Sequence, residues 1–87
     1  MLSGMTEAIA NEVRKVLVQH ARLPIDVRLL GDGDDLYASG MTSAASVEVV
    51  LAIEDRFDIS FPDDMLGPTL LQSINSIVLA VTSLRSG

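Results

Sequence analysis

Three groups of residues in this 87-residue chain have the types that do chemistry: the hydroxyls of Thr42, Ser43 and Ser46, the single histidine His20, and the carboxylates of Gly31-Asp32-Gly33-Asp34-Asp35. A serine that attacks a substrate needs a base beside it and an acid behind that base. No Gly-x-Ser-x-Gly elbow surrounds Ser43, so a small hydrolase is disfavoured and His20 reads as a helix-end cation or a surface residue. The acidic run invites a calcium reading. Its glycines fall at the wrong places for an EF-hand, and the twelfth position from Asp32 is Ser43 where a glutamate is required. A solvated acidic turn is the simpler reading, with a nonspecific divalent ion as the alternative. Ser43 is better suited to receive a group than to transfer one. Thr42 is a natural N-cap, which puts Ser43 on the first helical turn. A phosphate on that hydroxyl would gain about 0.3–1 kcal/mol from the helix dipole and the first N–H groups. Ser46, one turn on, reads as an ordinary solvated helix residue.

The element that must hold Ser43 is an amphipathic helix. Val47, Val50, Leu51, Glu54 and Phe57 recur at helical spacing, and four of the five are apolar. Asp58 and Pro62 mark its exit, followed by an extended Ile59-Ser60-Phe61 link. Before it, Met1 to Met5 should fray, and Thr6 should cap a first helix whose apolar side is Ile9, Val13, Val16, Leu17 and Val18. That helix should stop near Ala21 to Leu23, since Pro24 disfavours helical geometry at the residue before it. Pro24 to Met41 is a long connection. Ile25, Val27, Leu29, Leu30, Leu36 and Tyr37 should pack it onto the helices, with a short turn around Asp35 to Tyr37. Pro62 to Leu66 can form a short helix. Thr69-x-x-Gln72 has the form of a capping box for a last helix with a stripe of Ile74, Ile77, Val78, Val81 and Leu84, and Ser86 and Gly87 should fray.

These residues carry a resemblance. Ser43, then Val47-Glu48-Val49-Val50-Leu51-Ala52-Ile53-Glu54, then Phe57-Asp58-Ile59-Ser60-Phe61-Pro62-Asp63, resembles the second helix of acyl carrier proteins. The resemblance covers about residues 6 to 84 and is sharpest from 40 to 64. It implies 4′-phosphopantetheine attached to Ser43 by a phosphopantetheinyl transferase, with cargo held as a thioester on the arm. It implies a partner-facing side made of Thr42, Ala44, Glu48, Leu51, Ala52, Glu54 and Asp55, and a core side made of Val47, Val50 and Phe57. The family often reads Asp-Ser-Leu at the attachment point, where this chain reads Thr42-Ser43-Ala44. The stretch Asp35-Leu36-Tyr37-Ala38-Ser39-Gly40-Met41-Thr42-Ser43 is similar to stand-alone carriers loaded by ligases that resemble the catalytic core of aminoacyl-tRNA synthetases. It implies an aminoacyl cargo, with fatty-acid or polyketide carriers as the alternative. From another class, an unmodified protein–protein adaptor would use the same helix face.

Composition agrees. Hydrophobic residues make up 48% and aromatics 3%, so the core must be aliphatic, which suits a helical bundle. The expectation is all-α: three main helices, a short extra one, a long first loop, and one domain over 1–87. There is no cysteine, hence no disulfide or thiolate metal site, which fits a cytoplasmic protein. No apolar run of about 18 residues and no signal-peptide pattern is present, so no membrane role is expected. The net charge is −6, with −8 between Gly31 and Leu66 and +2 elsewhere. That centre repels nucleic acid and favours a basic partner; the resemblance implies that this partner is an acyl- or amino-acid-activating ligase or synthase, meeting a monomeric carrier.

Overall fold

The computed structural model describes residues 2–86, in the order α1 (Leu2–His20), α2 (Ser43–Phe57) and α3 (Ile74–Ser86), with one-turn 3-10 helices at Val27–Leu29 and Asp63–Met65. The all-α expectation holds, with no strand among the described residues. α1 packs on both α2 and α3. Between them lies an aliphatic core of Ile9, Val13, Val16 and Leu17 from α1, Ala45, Val49 and Ile53 from α2, and Ile74, Ile77, Val78 and Val81 from α3. Phe61 is the one aromatic residue buried there, and no polar side chain is buried among the described residues.

α1 starts earlier than the sequence suggests. It runs from Leu2, so Thr6 lies inside the helix and is not its cap. The reason is propensity: Leu2, Met5, Glu7 and Ala8 are good helix formers, and the one glycine among them costs about 1 kcal/mol. Met1 and Gly87 lie outside the described residues. α1 ends at His20, and the chain turns at Arg22, whose φ of 54° breaks the helix before Pro24. Val18, expected on the apolar side of the helix, is 65% exposed.

The long loop is pinned to the helices. Val27, Leu30, Leu36 and Met41 are buried, and Tyr37 is half-buried, while Ile25 and Leu29 point outward. Val27 and Leu29 share a single 3-10 turn, so burying one turns the other to solvent. The turn foreseen near Tyr37 is present, spanning 36–40. Arg14 of α1 grips the loop with one guanidinium: Nη1 donates to the Val27 carbonyl at 2.7 Å, and Nη2 to the Leu30 carbonyl at 2.9 Å and Asp32 Oδ1 at 2.6 Å. From the other side, Asn75 N–H donates to the Asp32 carbonyl at 2.9 Å. At the loop's end Gly40 has φ of 118°, and a Cβ there would meet Pro24 Cδ at 2.6 Å. The two ends of the loop therefore touch.

α3 opens on a different cap from the one foreseen. Thr69 and Gln72 sit in turns, and Ser73 caps the helix: its Oγ accepts from Ser76 N–H at 3.1 Å while Ser76 Oγ accepts from Ser73 N–H at 3.0 Å. This is capping-box geometry with serine in both roles.

Candidate functional site

Ser43 is the first residue of α2 and is exposed. Thr42 holds the helix start as the sequence indicates: its Oγ1 accepts from Ala45 N–H at 3.1 Å, with an extended backbone at φ −86° and ψ 164°. Ser46, the second hydroxyl of the turn, is committed. It is half-buried, and its Oγ donates to the Ser43 carbonyl at 2.6 Å. Ser43 is thus the exposed serine of this turn, with the dipole's positive end beneath it.

Ser43 also stands on the wall of a groove. A cavity of about 690 Å³ runs between α2 and the segment leading into α3. Tyr37 and Ser46 lie at the Ser43 end, Val47, Val50, Leu51 and Glu54 form the α2 wall, and Leu66 to Pro68 with Leu70 and Leu71 face them. The lining is mostly apolar and includes no histidine. His20 lies in a second groove of about 480 Å³ between α1 and α2, with Glu48, Asp55 and Arg56. Ser43 therefore has no imidazole beside it, and an unassisted serine hydroxyl is a poor nucleophile. An exposed hydroxyl on a helix N-terminus, opening on a groove, fits a phosphodiester-linked arm.

The first groove accounts for the difference between the expected and the observed core side of α2. Val47 was expected to be buried and is 59% exposed, while Val50 and Phe57 are only half-buried against the core. The buried stripe of α2 is Ala45, Val49 and Ile53, at i, i+4 and i+8. α2 is apolar on two sides: one packs into the bundle, and the other, Val47 and Leu51, lines the groove. Periodicity alone does not tell the two apart. Phe57 packs at the rim, with the Arg85 guanidinium 5.8 Å from its ring centre.

Of the other residues singled out, Ala44, Glu48, Leu51 and Asp55 are exposed along one ridge, with Thr42 at its head and Ala52 and Glu54 half-buried at its edges. Glu54 has a role the sequence did not show: its Oε2 accepts from Phe61 N–H at 2.7 Å, tying the exit of α2 back onto the helix. Asp58 ends α2 in the left-handed region at φ 54°. The acidic run is used as caps. Asp34 Oδ2 accepts from Gly31 N–H, Asp35 Oδ1 from Tyr37 and Ala38 N–H, and Asp32 pairs with Arg14. Among the described residues, no group of three or more His, Cys, Asp or Glu side chains is arranged to hold a metal ion. None of the described helices is long and apolar enough to cross a membrane.

Known proteins are similar to this chain in sequence and in fold. The family model for the phosphopantetheine attachment site matches residues 11–81. An aminoacyl carrier protein from Agrobacterium fabrum is 40% identical over 75 residues, covering 86% of this chain and 90% of the relative. An acyl carrier protein from Sinorhizobium fredii is 37% identical over 60 residues, covering 64% of this chain and 70% of its own. Among solved structures, this chain is similar to one in a crystallised complex of an engineered Bradyrhizobium japonicum glycine:[carrier protein] ligase with a carrier protein from Agrobacterium tumefaciens and ATP. The TM-score is 0.85 at 38% identity, over 87% of this chain and 99% of that one. A solution structure from Agrobacterium tumefaciens matches with a TM-score of 0.72 at 38% identity, over 90% of this chain and 94% of that one. The family match takes in the whole of α2 with Ser43, parts of α1 and α3, and the residues that line both grooves, and so the chain belongs to the phosphopantetheine-attachment family: it is a carrier protein of acyl or aminoacyl groups, not an enzyme.

Proposed function

We propose that Ser43 bears the 4′-phosphopantetheine arm and that the cargo is an amino acid loaded by a dedicated ligase. The observation that carries the first part is the exposed Ser43 hydroxyl on the first turn of α2, beside a Ser46 whose hydroxyl is already bonded. A phosphopantetheinyl transferase forms the phosphodiester, since no base stands by Ser43 in this chain. The bound arm supplies a terminal thiol, on which cargo is held as a thioester. The protein's own residues present that point and position it. Thr42 fixes the helix start, and Gly40 and Pro24 fix the loop leading to it.

The aminoacyl cargo is supported by the Agrobacterium relatives, one named an aminoacyl carrier protein and one crystallised with a glycine ligase. The physics agrees. An aminoacyl ammonium does not enter an apolar groove unpaired, so such a cargo stays outside with the mobile arm. The partner meets the ridge of Thr42, Ala44, Glu48, Leu51 and Asp55, edged by Ala52 and Glu54, through a basic docking surface. In this role the chain acts as a cytoplasmic monomer.

The test is intact mass after incubation with coenzyme A and a transferase, then with ATP, glycine and the Bradyrhizobium ligase. The wild type and Ser46→Ala gain the arm and then glycine, whereas Ser43→Ala gains neither. Uptake of the arm by Ser43→Ala would overturn the site. An armed protein that ligases leave bare, and that buries a long fatty acyl chain in the groove, would return it to fatty-acid or polyketide carriers.

A further inference from the structure

α1 ends in a backbone state that favours glycine. Arg22, two residues past the helix, has φ of 54°, where a glycine costs least. With arginine in that place, a guanidinium stands beside Glu48, one of the residues that line the α1–α2 groove. Its Nη2 lies 3.8 Å from Glu48 Oε1, with the two side chains 78% and 48% exposed. The arginine that lines the groove is held elsewhere: Arg56 Nη2 donates to Glu12 Oε2 at 2.6 Å, which ties it to α1. Of the two, Arg22 is the one that reaches the exposed ridge of α2, and it reaches the ridge's first acid.

The geometry points to Arg22 as an internal competitor for Glu48, a positioning residue that a partner's basic side chain must displace before it can dock there. This rests on reading the α2 ridge as the partner-facing side. An exposed pair is weak, so Arg22 does not block docking. It grades it. A partner guanidinium that takes both oxygens of Glu48 replaces Arg22 more readily than a lone ammonium does. Arg22 therefore selects for partners that present arginine at this point, and it slows association with the rest.

The experiment measures association of the armed chain with the Bradyrhizobium glycine ligase, and the rate of arm attachment to the bare chain by a transferase. Four proteins are compared: wild type, Arg22→Gln, Glu48→Gln and the double variant. Arg22→Gln is expected to speed association about two- to fivefold at low salt, the range expected for an exposed ion pair. The gain shrinks at high salt and disappears in the Glu48→Gln background. The same gain in that background would show that only net charge matters and would overturn the proposal. So would an Arg22→Gln protein that associates no faster while Glu48→Gln slows docking; the partner face would then stand without the competitor. If Glu48→Gln changes neither enzyme's behaviour, or neither enzyme engages the chain, the partner face and the proposal fall together.

Discussion

Gly40 and Gly67 show how differently one residue type is used. Gly40 has φ of 118° and no room for a side chain beside Pro24, while Gly67 has nothing within 4 Å. Gly40→Ala should therefore cost about 1–3 kcal/mol through backbone strain alone, with the Pro24 clash adding to it. Gly67→Ala should leave stability unchanged or raise it by about 0.4–1 kcal/mol. Urea unfolding midpoints of the two variants check both; equal destabilisation would show that the Pro24 contact is not maintained. Glu54 poses a second question at this scale, since its carboxylate accepts from Phe61 N–H and also edges the docking ridge. Glu54→Gln keeps an acceptor and removes the charge. It should hold the melting temperature near wild type, while Glu54→Ala lowers stability by about 1 kcal/mol or somewhat more. Thr42 and Ser43 were legible in the sequence because capping chemistry is local. The Glu54 contact was not, because it depends on where residue 61 returns in space.

Among the elements, α2 separates what a pattern can say from what packing decides. Its existence, its start at Ser43 and its end before Asp58 follow from local signals. Its inward face does not, because Val47 and Leu51 make a second apolar stripe and the choice falls to the shape of the bundle. Ile53 is fully buried, so Ile53→Ala should cost about 2–5 kcal/mol, whereas Val47→Ala on the groove wall should cost under about 1 kcal/mol. Thermal melts of the pair decide the orientation of α2, and the reverse order would restore the stripe read from sequence. The start of α3 was misplaced for a related reason. Thr69-x-x-Gln72 has the local form of a cap, but the helix begins after Ser73, where Ile74 and Ile77 can reach the core. The loop was foreseen as apolar and packed, but its clasp was not. Arg14→Lys keeps the charge and loses the fork that reaches two carbonyls and Asp32, so it should still cost about 1–3 kcal/mol.

For the whole molecule, charge acts at two ranges. The near range is the set of exposed ion pairs. The Glu12 carboxyl is held below its ordinary 4.5 by the hydrogen bond from Arg56. The Asp26 carboxyl is held below 3.8 by its bonds from Arg28. A carboxyl lowered in the folded state adds stability above its ordinary pKa and loses it as the pH falls through the lowered one. The Glu12–Arg56 tie between α1 and α2 should therefore weaken only below pH 4.5. Glu12→Gln should flatten the acid limb of a stability–pH curve by slightly lowering its neutral plateau, and should converge on wild type at low pH. The long range is the negative centre of the chain, −8 between Gly31 and Leu66. Asp55→Lys should slow partner association more at low salt than at high salt, with circular dichroism unchanged. Equal slowing at both would place Asp55 outside the steering field. The composition of the molecule also has an optical consequence. The chain holds one tyrosine and no tryptophan, and that tyrosine, Tyr37, lines the groove beside Ser43. Ultraviolet emission from the unlabelled protein is thus a signal from a single place, and an arm or cargo settling into the groove would register as a change in its intensity.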